Sequence, residues 1–106
     1  MTHTTYATSK AIKEFLGKEA PVPLRPRYFR KNGSYSKYDN NNMDGIPSYE
    51  LHDLLSRPFC TAVAWRRSKK NHDWHANGIS EILWGNFYEG GMEAVERTLM
   101  EIMEGK

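Results

Sequence analysis

The side chains able to do chemistry in this 106-residue chain gather in three places. The first is His72-Asp-Trp-His75, an H-x-x-H pair with Asp73 inside it. A zinc site wants three or four convergent His, Cys, Asp or Glu ligands, usually as two paired motifs. Only one pair is present. The single cysteine, Cys60, stands apart from it, and His3 and His52 are isolated, so no metal and no other cofactor is expected. His52 reads as a helix-surface or partly buried histidine rather than a ligand. The one enzymatic reading the chain supports is a small hydrolase or ribonuclease using His72 and His75 with neighbouring cations. Loops carry catalytic groups, and histidine titrates near neutral pH. Cys60 lies in the apolar run Phe59-Cys-Thr-Ala-Val-Ala-Trp65, where a buried thiol has a raised pKa and is inert. No G-x-S-x-G, P-loop, G-x-G-x-x-G or H-E-x-x-H is present. The expectation is a non-enzymatic protein with no catalytic residue to assign.

The other two places are basic. One runs through Arg25, Arg27, Arg30 and Lys31, interleaved with Tyr28, Phe29 and Tyr35. The other holds Arg66, Arg67, Lys69 and Lys70, followed by Trp74 and His75. The two clusters carry eight of the 15 positive charges. Cations alternating with rings suit single-stranded nucleic acid, since cations track phosphates while rings stack on bases. No RNP, KH or zinc-finger signature accompanies them. Trp, Tyr and Arg also dominate the energetics of protein interfaces. The candidate binding residues are therefore Arg25, Arg27, Tyr28, Arg30, Lys31, Arg66, Arg67, Lys69, Lys70, Trp74 and His75. Trp74 sits in so polar a stretch that it either folds back on the domain or awaits a partner. Pro23-Leu-Arg-Pro26 is a P-x-x-P without a basic flank at Ala20 or Tyr28, and it reads as a stiff connector.

The net charge of +2 hides an asymmetry. Arg25 to Lys70 holds ten Lys/Arg against four Asp/Glu, whereas Glu81 to Glu104 holds six Glu against one Arg. Such a basic face suits phosphates or an acidic protein. At 39% hydrophobic and 26% charged, the composition is that of one ordinary globular domain. The longest apolar run, Ala62 to Trp65, falls far short of the ~20 residues that span a bilayer. The first residues lack the basic and apolar regions of a secretory signal. With one cysteine, a cytoplasmic, reducing setting is expected, without membrane contact.

The elements that position these residues follow from periodicity. A helix over 8–17 is expected, capped by Thr8 or Ser9, with Ile12, Phe15 and Leu16 on one face and Gly17 as its stop. Three prolines over 20–26 impose an extended connection. Asn32-Gly33 predicts a hairpin with strands at about 27–31 and 34–38. A second helix opens at Pro47 or Ser48, buries Leu51, Leu54 and Leu55, and ends near Ser56 ahead of Pro58. Phe59–Trp65 reads as a central strand apolar on both faces. Residues 66–78 read as a polar loop. Ile79, Ile82, Leu83 and Phe87 match a helix period, but the isoleucines and rings of Ile79–Tyr88 favour a strand and Gly85 weakens a helix, so the segment is taken as a strand with a helix as the alternative. Gly90-Gly91 breaks it, and a last helix spans about 91–104, with Met92, Val95, Leu99 and Ile102 inward. The expected fold is α+β, in the order α-β-β-α-β-β-α. Three helices pack on a small, mainly antiparallel sheet, with a flexible segment 1–7 and one domain over 8–106. Ile12, Phe15, Leu16, Leu51, Leu54, Leu55, Val63, Leu99 and Ile102 should share the core. Together these features suggest an accessory or inhibitor protein of the kind phages and mobile elements encode. It would dock on a host or cognate protein, with nucleic acid as the alternative partner.

Overall fold

The computed structural model describes residues 3–25, 27–29, 35–36, 45–71 and 74–105, with the side chains at 35, 36 and 69–71 left out. It is mainly helical with a small antiparallel sheet. Helix α1 spans Tyr6–Leu16, strands β1, β2 and β3 span Tyr28–Phe29, Tyr35–Ser36 and Ile46–Pro47, and helices α2, α3 and α4 span Leu51–Leu54, Arg57–Asn71 and Ala76–Glu104. The fold class is thus α+β, but among the described residues it has four helices in the order α-β-β-β-α-α-α. Among the described residues no helix is long and apolar enough to cross a membrane.

From His3 onward the N-terminal segment is hydrogen-bonded into the fold. Thr4 is fully buried, and its amide donates to the Tyr49 carbonyl at 2.7 Å. The Thr4 hydroxyl accepts from the Tyr49 amide at 2.9 Å and pairs with the Ser9 hydroxyl at 2.7 Å. The Thr5 amide donates to Glu96 Oε1 at 2.6 Å. Short polar side chains bonding backbone are local devices, and composition alone reads them as fraying. Thr5 rather than Thr8 or Ser9 caps α1, accepting from the Thr8 amide at 3.4 Å.

The antiparallel pairing expected of the hairpin is present in its described residues, while Asn32-Gly33 and the rest of residues 30–34 and 37–38 lie outside them. β1 lies between β2 and β3, pairing Tyr28 with Ser36 and Pro47, and Phe29 with Tyr35 and Ile46. Pro47 therefore stands in a strand, not in a helix first turn. Because β3 is an edge of this sheet, the missing proline N–H costs no ladder bond.

The largest corrections concern 57–90. Phe59–Trp65 is not a strand and 66–71 is not a loop; both belong to α3. Phe59, Cys60, Val63, Ala64 and Arg67 are buried, which is a 3.6-residue period carried through a cation. Pro58 falls in the first turn of α3, where it fits without loss. The Ser56 hydroxyl accepts from the Phe59 amide at 3.4 Å. Ile79–Tyr88 is likewise helical, with Ile79 and Leu83 one turn apart and fully buried. Burial of that stripe outweighs the strand preference of its isoleucines and rings. The helix is interrupted at Gly91, whose φ of 71° and ψ of −163° exclude other residues at low cost. The Gly90-Gly91 break and the helix beyond it thus appear as expected.

The core forms where α3 and α4 pack on each other and on α1. Ile12, Leu16, Leu54, Val63, Leu99 and Ile102 are buried there as expected, joined by Tyr49, Phe59, Ile79, Leu83 and Val95. Phe15, Leu51 and Leu55 pack at its edge.

Candidate docking face on α3

Only part of each basic cluster lies among the described residues. Arg25 is exposed, Arg27 and Tyr28 are half-buried, and Arg30 and Lys31 lie outside the described residues. The side chains of Lys69 and Lys70 also lie outside them, as do His72 and Asp73, so the H-x-x-H pair is represented by His75 alone. His75 is exposed and occupies the position before α4 without capping it.

Arg66 and Arg67 are used inside the fold. Arg66 Nη2 donates to the Leu16 carbonyl at 3.3 Å, and its Nε lies 3.2 Å from Glu19 Oε2. A cation at the end of α1 meets the negative pole of that helix. Arg67 is only 6% exposed. Its guanidinium carbon sits 5.5 Å from the centre of the Trp74 ring, a cation–π distance. The same guanidinium lies at the C-terminal end of α4. A Cβ at Gly105 would stand 3.6 Å from Arg67 Nη1, and Gly105 already has φ of 87°. Arg67 Nε is buried without a hydrogen-bond partner. Its ring contact and the negative pole of α4 are the attractions that offset this.

Trp74 folds back rather than standing free. It is half-buried, packs against the core, and its carbonyl accepts from the Ser68 hydroxyl at 3.1 Å. The aromatic that faces solvent on this side is Trp65, at 59% exposure. Residues 57, 58, 61, 62, 65 and 68 form a stripe along the outer side of α3, at helical spacing. Two hollows open along that stripe. One, of about 430 Å³, is lined by Glu19, Arg57, Pro58, Thr61, Ala62 and Trp65. The other, of about 200 Å³, is lined by Thr61, Ala64, Trp65, Ser68, Trp74, His75 and Ala76. Thr61 and Trp65 form the ridge between them. Sequence reasoning placed Trp65 in a buried strand and so missed it. Its period relative to Val63 and Arg67 would have shown it outward, had the arginine been accepted as an inward residue.

Glu50, His52, Asp53, Tyr49 and Cys60 are committed to structure. Glu50, His52 and Asp53 gather donor atoms within 4.8 Å of one another. His52 Nε2 is 3.5 Å from both Glu50 Oε2 and Asp53 Oδ1. The two carboxylates form a reciprocal cap: Glu50 accepts from the Asp53 amide, and Asp53 Oδ2 accepts from the Glu50 amide at 3.0 Å. Asp53 Oδ1 also accepts from the Leu24 amide at 3.0 Å, which fixes the proline-rich connector. Tyr49 donates its hydroxyl to the Pro21 carbonyl at 2.8 Å. Burial, then the charges of Asp53 and Tyr28, push its phenol above the ordinary range. Burial also pushes the Cys60 thiol up to about 11, and the thiol donates to the Leu54 carbonyl at 3.2 Å. Cys60 therefore keeps its proton at neutral pH.

No protein family, no characterised protein and no solved structure matches this chain.

Proposed function

We propose that this chain is a non-enzymatic docking module of the accessory or inhibitor type, whose partner is a protein. The contact is the α3 ridge around Trp65 with the hollow on each side. The single observation that carries the reading is a tryptophan 59% exposed on a helix whose inner face is locked in the core. A large ring beside pockets that accept the partner's apolar side chains is the usual anatomy of an interface hot spot. Arg57 and His75 lie at the margins of the two hollows and supply a polar rim. Nucleic acid remains the second reading. Arg67, buried, and Arg66, paired with Glu19, offer less to phosphates than their sequence suggests.

The test is parallel affinity purification of the tagged chain and its Trp65→Ala variant from the source cell, read by mass spectrometry. A protein retained by the wild type and lost with the variant, at equal folded content, supports the reading. Equal capture by both, or nuclease-sensitive capture alone, overturns it.

A further inference from the structure

The outward face of the first half of α4 carries a second surface, with chemistry unlike that of α3. Ile79 and Leu83 point into the core, so positions 81, 84, 85 and 88 fall on the opposite side of the helix. Trp84 is 48% and Tyr88 79% exposed. The Trp84 ring lies 5.7 Å from Tyr88, edge-on, and stacks at 6.0 Å on Phe87. Three contiguous rings on a rigid surface helix form an apolar patch that burial would stabilise. Gly85 leaves open space beside them, since a Cβ there would meet nothing within 4 Å.

The charge around the rings selects the occupant. From Ala76 to Ala94 the chain has three glutamates and no lysine, arginine or histidine. Glu81 and Glu89 are exposed on either side of the rings, and Glu93 follows one turn on, with Arg97 3.9 Å from it. Phosphate is repelled by such a face. A second copy is also disfavoured. Antiparallel pairing about Gly85 sets Glu81 against Glu89 of the other copy, and parallel pairing sets each glutamate against itself. A cation-bearing segment satisfies both features at once, because a guanidinium stacks on Trp and Tyr faces while its fork reaches carboxylates.

We propose that the Trp84–Tyr88 face of α4 docks an arginine-bearing segment of a partner protein, with Glu81 and Glu89 receiving its cations. This site goes beyond the α3 reading and does not depend on it. The experiment is an NMR titration of the ¹⁵N-labelled full chain with a synthetic peptide of alternating arginine and leucine. A peptide with glutamate in place of arginine serves as the control. Amide shifts should concentrate at residues 80–90 and weaken with salt. Trp84→Ala combined with Tyr88→Ala should reduce affinity roughly tenfold. Glu81→Gln with Glu89→Gln should reduce it roughly threefold. Trp65→Ala should change nothing here, which separates this site from the one on α3. Both double variants replace exposed side chains, and thermal melts should match the wild type. The proposal is overturned if the arginine peptide does not bind, if shifts centre on Glu101 and Glu104, or if the ring substitutions leave affinity intact. It is equally overturned if sedimentation shows a dimer that Tyr88→Ala dissociates, since the occupant is then a second copy.

Discussion

Helices α3 and α4 lie against each other in the core, yet each inverts a different expectation. α3 turns a cation inward and a tryptophan outward: Arg67 is buried, and Trp65 is mostly in solvent. α4 keeps its inner side mostly apolar through Ile79, Leu83, Val95, Leu99 and Ile102, with Glu96 buried where it accepts from the Thr5 amide, and presents rings among glutamates on its first outer half. The difference shows that residue type alone does not assign a side chain to core or surface. On α3 the position in the period decides, and Arg67 is tolerated inside because Trp74 and the end of α4 receive its charge. On α4 the inner stripe is saturated, so Trp84 and Tyr88 are left outside.

The comparison breaks first at the apolar side. Leu99→Ala removes a fully buried side chain from the α4 stripe and should cost roughly 2–5 kcal/mol, read in denaturant melts. A loss under about 1 kcal/mol would show that α4 does not pack as described.

The charged side of α3 is the next weaker point. Arg67→Ala and Trp74→Ala should each destabilise the protein by about 1–3 kcal/mol, through lost packing and lost attraction. The double variant should cost less than the sum, with a coupling of about 0.5–2 kcal/mol. Full additivity would mean that the ring and the guanidinium do not sense each other.

The core helices were legible in the sequence wherever apolar residues marked the inner stripe at helical spacing. Ile12 and Leu16 in α1, and Val95, Leu99 and Ile102 in α4, appear where their spacing puts them. The hairpin pairing was legible through Asn32-Gly33, and among the described residues Tyr28–Phe29 and Tyr35–Ser36 pair as strand. α3 was not legible, because Phe59–Trp65 alternates as neatly with period 2 as with 3.6. Ala62 and Ala64 and the continuation through Arg67 favour the helix only once a buried arginine is allowed. The first half of α4 was missed for the opposite reason: isoleucines and rings suggest a strand, but burial of Ile79 and Leu83 decides. Of the candidate site, Trp74 and His75 border one of the two hollows. Arg66 and Arg67 serve the fold, and Trp65, the residue central to the docking face, carried no signal apart from its register.

A smaller effect sharpens the contrast between the buried and exposed sides of α3. Burial raises the Cys60 thiol from 9.0 to about 11, so the fold favours its protonated form. That contribution is intact below pH 9 and is lost as the pH rises through about 11. Tyr49, shifted in the same direction, adds to the loss at higher pH. Stability should therefore fall between pH 9 and 11, and fall less steeply in Cys60→Ala. Urea melts at pH 7, 9 and 10.5 measure the difference, and parallel declines in the two proteins would contradict the assignment.

The most direct test of the docking account compares Trp65→Ala with the wild type in two measurements on the same preparations: thermal melting, and affinity for the protein the wild type captures. The account predicts a melting temperature within about 2 °C of the wild type and a binding loss of at least ~2 kcal/mol, roughly 30-fold in Kd. Unchanged affinity, or unfolding caused by the substitution, would contradict it.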